Sequence, residues 1–130
     1  MPLQRLSIDS VTPVTAGNTS TIVVTSNNQR TYVRTLILHA AALGSSTPNA
    51  PVNVQVHVVP NSGGAQGTAS ASTRIARINM AADDTFFLEP EYPIILGSNG
   101  DCIKVHNEGT TNSGAASYSV NVLAMGDRET

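Results

Sequence analysis

From Val52 to Val58 every second residue is a valine, with Asn53, Gln55 and His57 between them. A period of two places the valines on one face of a β-strand and the polar residues on the other. Pro51 and Pro60 close the segment at both ends, and Asn61-Ser62-Gly63-Gly64 supplies residues that tolerate positive φ in a turn. Short β-branched segments of the same kind lie on both sides. Ser20 to Ser26 sets Ile22 and Val24 against Thr21, Val23 and Thr25. Thr31 to Ala42 sets Leu36 and Leu38 against Val33 and Ile37, so both faces of this longer strand are expected to be partly covered. Asn27-Asn28 between the two is hairpin chemistry and predicts an antiparallel meander in the first half.

Alternation continues through Arg74 to Met80, Thr85 to Leu88, Tyr92 to Leu96, Asp101 to His106 and Ser117 to Met125, where Tyr118, Val120 and Val122 share a face. Breakers separate these at Asp83-Asp84, Pro90, Gly97 to Gly100 and Glu108 to Gly114. Nothing is long and 3.6-periodic, and the Ala-rich piece Ala65 to Ser72 has the Gly, Ser and Thr content of a loop. With Leu3 to Val14 the pattern predicts roughly eight short strands, an all-β antiparallel sandwich of jelly-roll type, in one domain over residues 1–130. Residues 1–10 read either as an ordinary first strand or as an N-terminal arm. In the second case Leu3, Leu6 and Ile8 are spaced to dock on a neighbour.

The core expected from these strands is Val, Ile, Leu and Ala, with Phe86, Phe87 and three tyrosines as the only large rings. A core so poor in aromatics buries less area per residue, which predicts that self-association contributes to stability, with a trimer among the candidate homo-oligomers. Charged residues are 12% of the chain, about half of the roughly 25% usual in soluble domains. Neutral Ser, Thr and Asn cost less to desolvate than Lys or Glu, so such a surface suits a subunit covered by neighbours. A formal net charge of −2 with scattered basic residues argues against nucleic-acid binding, which needs a clustered basic face. The lone Cys102 excludes an internal disulfide framework and fits a chain made in a reducing compartment. No apolar h-region follows the N-terminus and no stretch is long enough to cross a bilayer, so no membrane partner is expected.

Candidate chemistry is thin. A nucleophile needs a histidine oriented by a third group, and His39, His57 and His106 fall in separate strands with no Gly-x-Ser-x-Gly elbow, although His39 and His57 are placeable on adjacent strands. None has the close ligand spacing of a zinc site. Asp83-Asp84 and Glu89 with Glu91 are close carboxylates, but each pair sits among turn residues. Asp83, Asp84 and Asp101 lack any calcium-loop spacing. Gly63-Gly64 and the Gly97 to Gly100 loop lack the helix and lysine of a phosphate cradle. Without tryptophan, sugar stacking is poorly supplied, though a glycan- or receptor-binding module is the alternative from another class. No catalytic, cofactor or metal residue is therefore assigned.

One set of turns carries a resemblance. Val58-Val59-Pro60-Asn61-Ser62-Gly63-Gly64, then Ala81-Ala82-Asp83-Asp84-Thr85 leading into Phe86-Phe87-Leu88, then Pro93-Ile94-Ile95-Leu96, Gly100-Asp101 and the closing Gly126-Asp127-Arg128-Glu129 come in an order that resembles small β-sandwich structural proteins of tailed bacteriophages. The resemblance covers the segment from Val56 to Glu129 best. Cys102-Ile103-Lys104 and the Glu89-Pro90-Glu91-Tyr92 stretch depart from it. It implies a virion location after synthesis in the host cytoplasm. The implied role is a capsid decoration or cement protein, oligomeric and bound to the major capsid protein, or else a neck, tail or fibre component. It brings no catalytic residues.

Overall fold

The structure, a computed structural model, describes residues 3–6, 11–41, 51–110 and 119–129. Ten strands follow one another along the chain: β1 Leu3–Arg5, β2 Thr12–Val14, β3 Thr19–Val24, β4 Thr31–Ala41, β5 Val52–Val59, β6 Arg74–Met80, β7 Thr85–Leu88, β8 Ile94–Leu96, β9 Cys102–Thr110 and β10 Ser119–Glu129. They form two antiparallel sheets. In the first, β1 and β2 pair with the two ends of β10, β10 pairs with β4, and β7 and β8 pair with the two ends of β4. In the second the order is β3-β9-β5-β6.

With β1 and β2 counted as one position and β7 and β8 as another, the sheets read 1-8-3-6 and 2-7-4-5. Position 1 pairs 8, 2 pairs 7, 3 pairs 6 and 4 pairs 5, so the chain behaves as one long hairpin rolled over itself. That is the jelly roll. Here β5 and β6 are the only consecutive strands that pair among the described residues.

The expected meander is therefore not what forms. Asn27 and Asn28 do turn the chain, at φ 54° and 56°, but β3 and β4 lie in opposite sheets. The backbone beyond β3 is committed elsewhere: the Thr25 amide donates to Asp101 O at 2.9 Å and the Gly100 amide to Thr25 O at 3.0 Å. Thr31, at the start of β4, pairs with Arg128 and Leu96. A turn signal fixes where the chain reverses and leaves open which strand it then pairs with.

Two register shifts reassign side chains. Between β4 and β10, Met125 faces Thr35 while Gly126 faces Val33. The extra residue on β4 turns Val33 to the same side as Leu36 and Leu38, where all three are buried. A second shift between Thr21 and Val23 on β3 puts Val23 and Thr25 inside, where strict alternation had placed Ile22 and Val24, although Ile22 still packs partly on the core. Elsewhere alternation holds. Val52, Val54, Val56, Met80, Ile103, Val105, Val120 and Val122 fill the interior. Phe87, expected among the core rings, points outward and is exposed. Tyr118, Ala42 and Ile8 lie outside the described residues.

Polar groups tie the two sheets together at the ends of this aliphatic core. Thr25 Oγ1 donates to Leu96 O at 3.0 Å, Arg128 donates to Thr31 Oγ1 and Val24 O, and the buried Asn107 Nδ2 donates to Val14 O at 3.0 Å. Among the described residues no buried side-chain nitrogen or oxygen lacks a partner, as a dry sandwich interior requires.

Candidate assembly surface

The outward faces of the two sheets differ in kind, and the difference starts from sequence parity. On β5, β9 and β6 the residues alternating with the core set include Gln55, His57, Lys104, His106, Glu108, Arg77 and Asn79, all polar, and the exposed Ile75 near the start of β6 is the apolar exception. The loop 60–73 folds over part of this face. Lys104 Nζ donates to Gly67 O at 2.8 Å, Thr21 Oγ1 donates to Gln66 Oε1 at 2.8 Å, and the Val58 amide donates to Thr73 O at 3.0 Å. The second sheet is thus covered by its own chain.

The first sheet is apolar on both sides along three strands. Leu36-Ile37-Leu38, Phe86-Phe87-Leu88 and Ile94-Ile95-Leu96 have no polar residue to turn outward. Phe87 stands directly opposite Ile37, and Ile37 opposite Leu123, so a row of three apolar side chains crosses β7, β4 and β10. Met125, two pairs along, faces Thr35, and Ile95 faces Tyr32. Phe87 is 55% exposed, Ile95 57% and Met125 43%. Nothing in the described chain covers them. At the β1 end, Leu6 and Met125 line a shallow depression of about 440 Å³ with Arg5, Arg34 and Asp127.

Two of the arginines beside this stripe have carboxylates within the chain. Arg34 Nε donates to Asp127 Oδ2 at 2.6 Å, the Tyr32 hydroxyl donates to Glu129 Oε1 at 2.8 Å, and Arg30 lies 4.0 Å from the same carboxylate. The hydrogen bond to Glu129 raises the Tyr32 pKa above the ordinary tyrosine value, and desolvation adds to it. A partner laid over Phe87, Ile37 and Leu123 meets apolar surface, with Arg34 and Arg30 beside it already facing carboxylates.

Of the residues assigned to assembly from sequence, Leu3 is exposed in β1 opposite Glu129. Leu6 is half-buried, its amide donating to Gly126 O at 3.0 Å. Ile8 lies outside the described residues. Leu6 therefore joins the stripe through Met125, and β1 is an edge strand of the sheet. Ile37, Phe87, Ile95, Leu123 and Met125 were not singled out from sequence. The signal was the run of apolar residues at both parities, read only for the strand carrying Ile37.

The histidines do not converge. His39 and His57 lie in different sheets, not on adjacent strands. His39 Nδ1 is 2.9 Å from Thr85 Oγ1 and its Nε2 is 4.0 Å from Asp83 Oδ1. That order of groups mimics a catalytic triad, but Asp83 is 74% exposed. The amides of Asp83 and Asp84, which an oxyanion would need, are spent on the carbonyls of Ala40 and Ala81. Asp83, at φ 64°, and Asp84, whose Oδ2 accepts from the Ala81 amide at 2.8 Å, are turn residues as expected.

Asp101 also serves a turn. Burial would raise its pKa, but the hydrogen bonds it accepts from Asn61 and from the Ser98 and Gly97 amides outweigh this and hold it below the usual carboxylate range. Cys102 is buried, and that burial raises its thiol pKa, leaving little thiolate. Among the described residues no three His, Cys, Asp or Glu side chains group to hold a metal ion, and no helix is long and apolar enough to cross a membrane. No protein-family profile, curated protein or solved structure matches this chain.

Proposed function

We propose that the chain is an assembly subunit of a virus particle, a capsid decoration protein that binds the head shell as an oligomer. The observation that carries the reading is the open apolar stripe on one sheet, Phe87-Ile37-Leu123, with Met125 two pairs along and Ile95 opposite Tyr32 farther down β4. A contiguous exposed patch of large apolar residues marks an interaction surface. Its occupant is a second copy of this chain. Arg34 and Arg30 beside the stripe already face carboxylates, so the row itself asks for apolar cover, and an identical row supplies it.

The particle context rests on the order of turn motifs from Val56 to Glu129 and on the low charge of the surface. In this role the chemistry is mechanical. Each copy buries neutral surface against shell subunits, and many weak contacts act together against internal pressure.

Adding purified protein to phage heads that lack it tests the role. Saturable binding in many copies distributed over the shell is the expected result. Binding at a single vertex would make it a neck or tail component. Recognition of immobilised glycans by the isolated oligomer, with no binding to heads, would overturn the assembly role in favour of a receptor-binding one.

A further inference from the structure

On the sheet opposite the apolar stripe, the loop 60–73 leaves a depression of about 380 Å³ lined by Thr19, Gln55, His57, Ser70, Arg74 and His106, with two alanines. Its lining contains cationic and neutral groups and no carboxylate, in a protein whose net charge is negative. The Arg74 guanidinium has no hydrogen bond or ion pair with any described side chain, whereas Arg30, Arg34 and Arg77 each have a carboxylate. His106 is held through Nδ1, 2.8 Å from Thr19 Oγ1, and lines the depression.

The floor is His57, and its bonds are unusual. Its Nδ1 lies 2.9 Å from Thr73 Oγ1, and that hydroxyl already donates to Ser70 O at 3.0 Å. Its Nε2 lies 2.9 Å from Gln55 Oε1, and the amide of Gln55 also bonds the Glu108 carboxylate, which accepts only from the NH₂ end. With the Thr73 hydroxyl turned to Ser70 O the ring faces an acceptor at both nitrogens, which the imidazolium satisfies in full; a neutral ring donates to Gln55 Oε1 and takes the Thr73 proton at Nδ1 in place of Ser70 O.

Burial pulls His57 below the ordinary histidine value against the opposing Ser70 carbonyl, and His106 and Arg74 add to the lowering. The other charges around it are Lys104 on β9, bound to Gly67 O, and the Arg77–Glu108 pair at 2.8 and 3.1 Å. The loop 60–73 carries no ionisable residue.

We propose that this depression binds a small oxyanion between Arg74 and His106, and that His57 takes up a proton as the anion arrives. The anion supplies the countercharge that Arg74 lacks, offsets the repulsion that opposes a positive charge on His57, and so favours the state in which His57 donates at both nitrogens. The shared chemistry is a carboxylate, sulfate or phosphate group. A sugar acid and a free inorganic ion both present it, and the volume admits a ring of monosaccharide size. The site is on the opposite sheet from the assembly stripe, so it stands or falls independently of the proposed role.

Calorimetric titration of the full chain with glucuronate, acetate, sulfate and phosphate at pH 6 and pH 8 tests it. Saturable one-to-one binding is expected, about ten-fold tighter at pH 6, with net proton uptake. Ring ¹⁵N shifts of His57 should move to the imidazolium position on saturation. Arg74→Gln should weaken binding about ten-fold, and Arg5→Gln on the other sheet should leave it unchanged. Preference for glucuronate over acetate assigns a sugar acid, and equal or tighter binding of sulfate or phosphate assigns a free oxyanion. Absence of saturable binding for all four anions overturns the proposal. Binding that ignores pH, or that Arg74→Gln leaves intact, does so too.

Discussion

At Gly126 the absence of a side chain decides whether β10 can pass β4. A Cβ built there would collide with the Tyr32 carbonyl oxygen and press on Val33, both backbone atoms that cannot move aside. This is the point where the register shifts and Val33 turns inward. Gly126→Ala should therefore lower stability by about 2–4 kcal/mol, measured by denaturant unfolding. Ionisation at single residues gives a second expectation. The Arg77 hydrogen bonds hold Glu108 at a pKa of about 2 against an ordinary 4.5. A carboxylate with a depressed folded pKa contributes stability above pH 4.5 that is lost as pH falls toward about 2. Asp101 is lowered too and acts in the same direction. Glu108→Gln should flatten the acid limb in that window by lowering stability in the neutral region, where the contribution is fully present, so that the variant and wild-type curves converge toward pH 2. His57 behaves likewise from the basic side. Its folded pKa is lowered, so the unfolded chain binds the proton more readily, and stability falls as pH drops below the ordinary histidine value of 6.5. His57→Gln should flatten that segment in thermal melts across pH 5 to 7.

At the scale of the strand, period-two alternation was legible wherever the register is regular. Val52, Val54 and Val56, or Ile103 and Val105, sit where their parity puts them. Parity fails where one residue is inserted into a pairing, and no residue type in Thr31 to Ala42 announces that the shift falls beside Arg34. The core position of Val33 is a property of the pair β4–β10, so it was hidden in either strand alone. The Asn27-Asn28 turn was readable and its partners were not, since a jelly roll joins strands that are distant in sequence. Leu38, buried at the centre of β4 in contact with the second sheet's valines, is the test of the core. Leu38→Ala should cost about 2–5 kcal/mol, read from the shift of the unfolding midpoint at constant slope.

For the whole molecule, two sheets of equal width leave unequal outer faces. One is mostly polar and overlaid by the loop 60–73, and the other carries an apolar stripe with Arg34 and Arg30 beside it facing carboxylates. Low charge and a thin aliphatic core pointed toward surfaces over pockets, which composition can do. The location of the surface needed the pairing of Phe87 with Ile37 and Ile37 with Leu123, and the His57 depression needed the path of a loop that sequence describes only as Gly, Ser and Ala. The central claim is that the stripe is covered by another copy of the chain. Sedimentation velocity of the wild type and of a Phe87→Asp/Ile95→Asp variant tests it most directly, because both residues are more than half exposed and neither supports the core. The wild type should sediment as an oligomer. The variant, with unchanged circular dichroism, should sediment as the 13.5 kDa monomer, its self-association weakened by about a hundred-fold or more. A wild type that remains monomeric at about 100 µM, well above the micromolar range in which specific assemblies form, would contradict the claim, as would a variant that stays fully oligomeric.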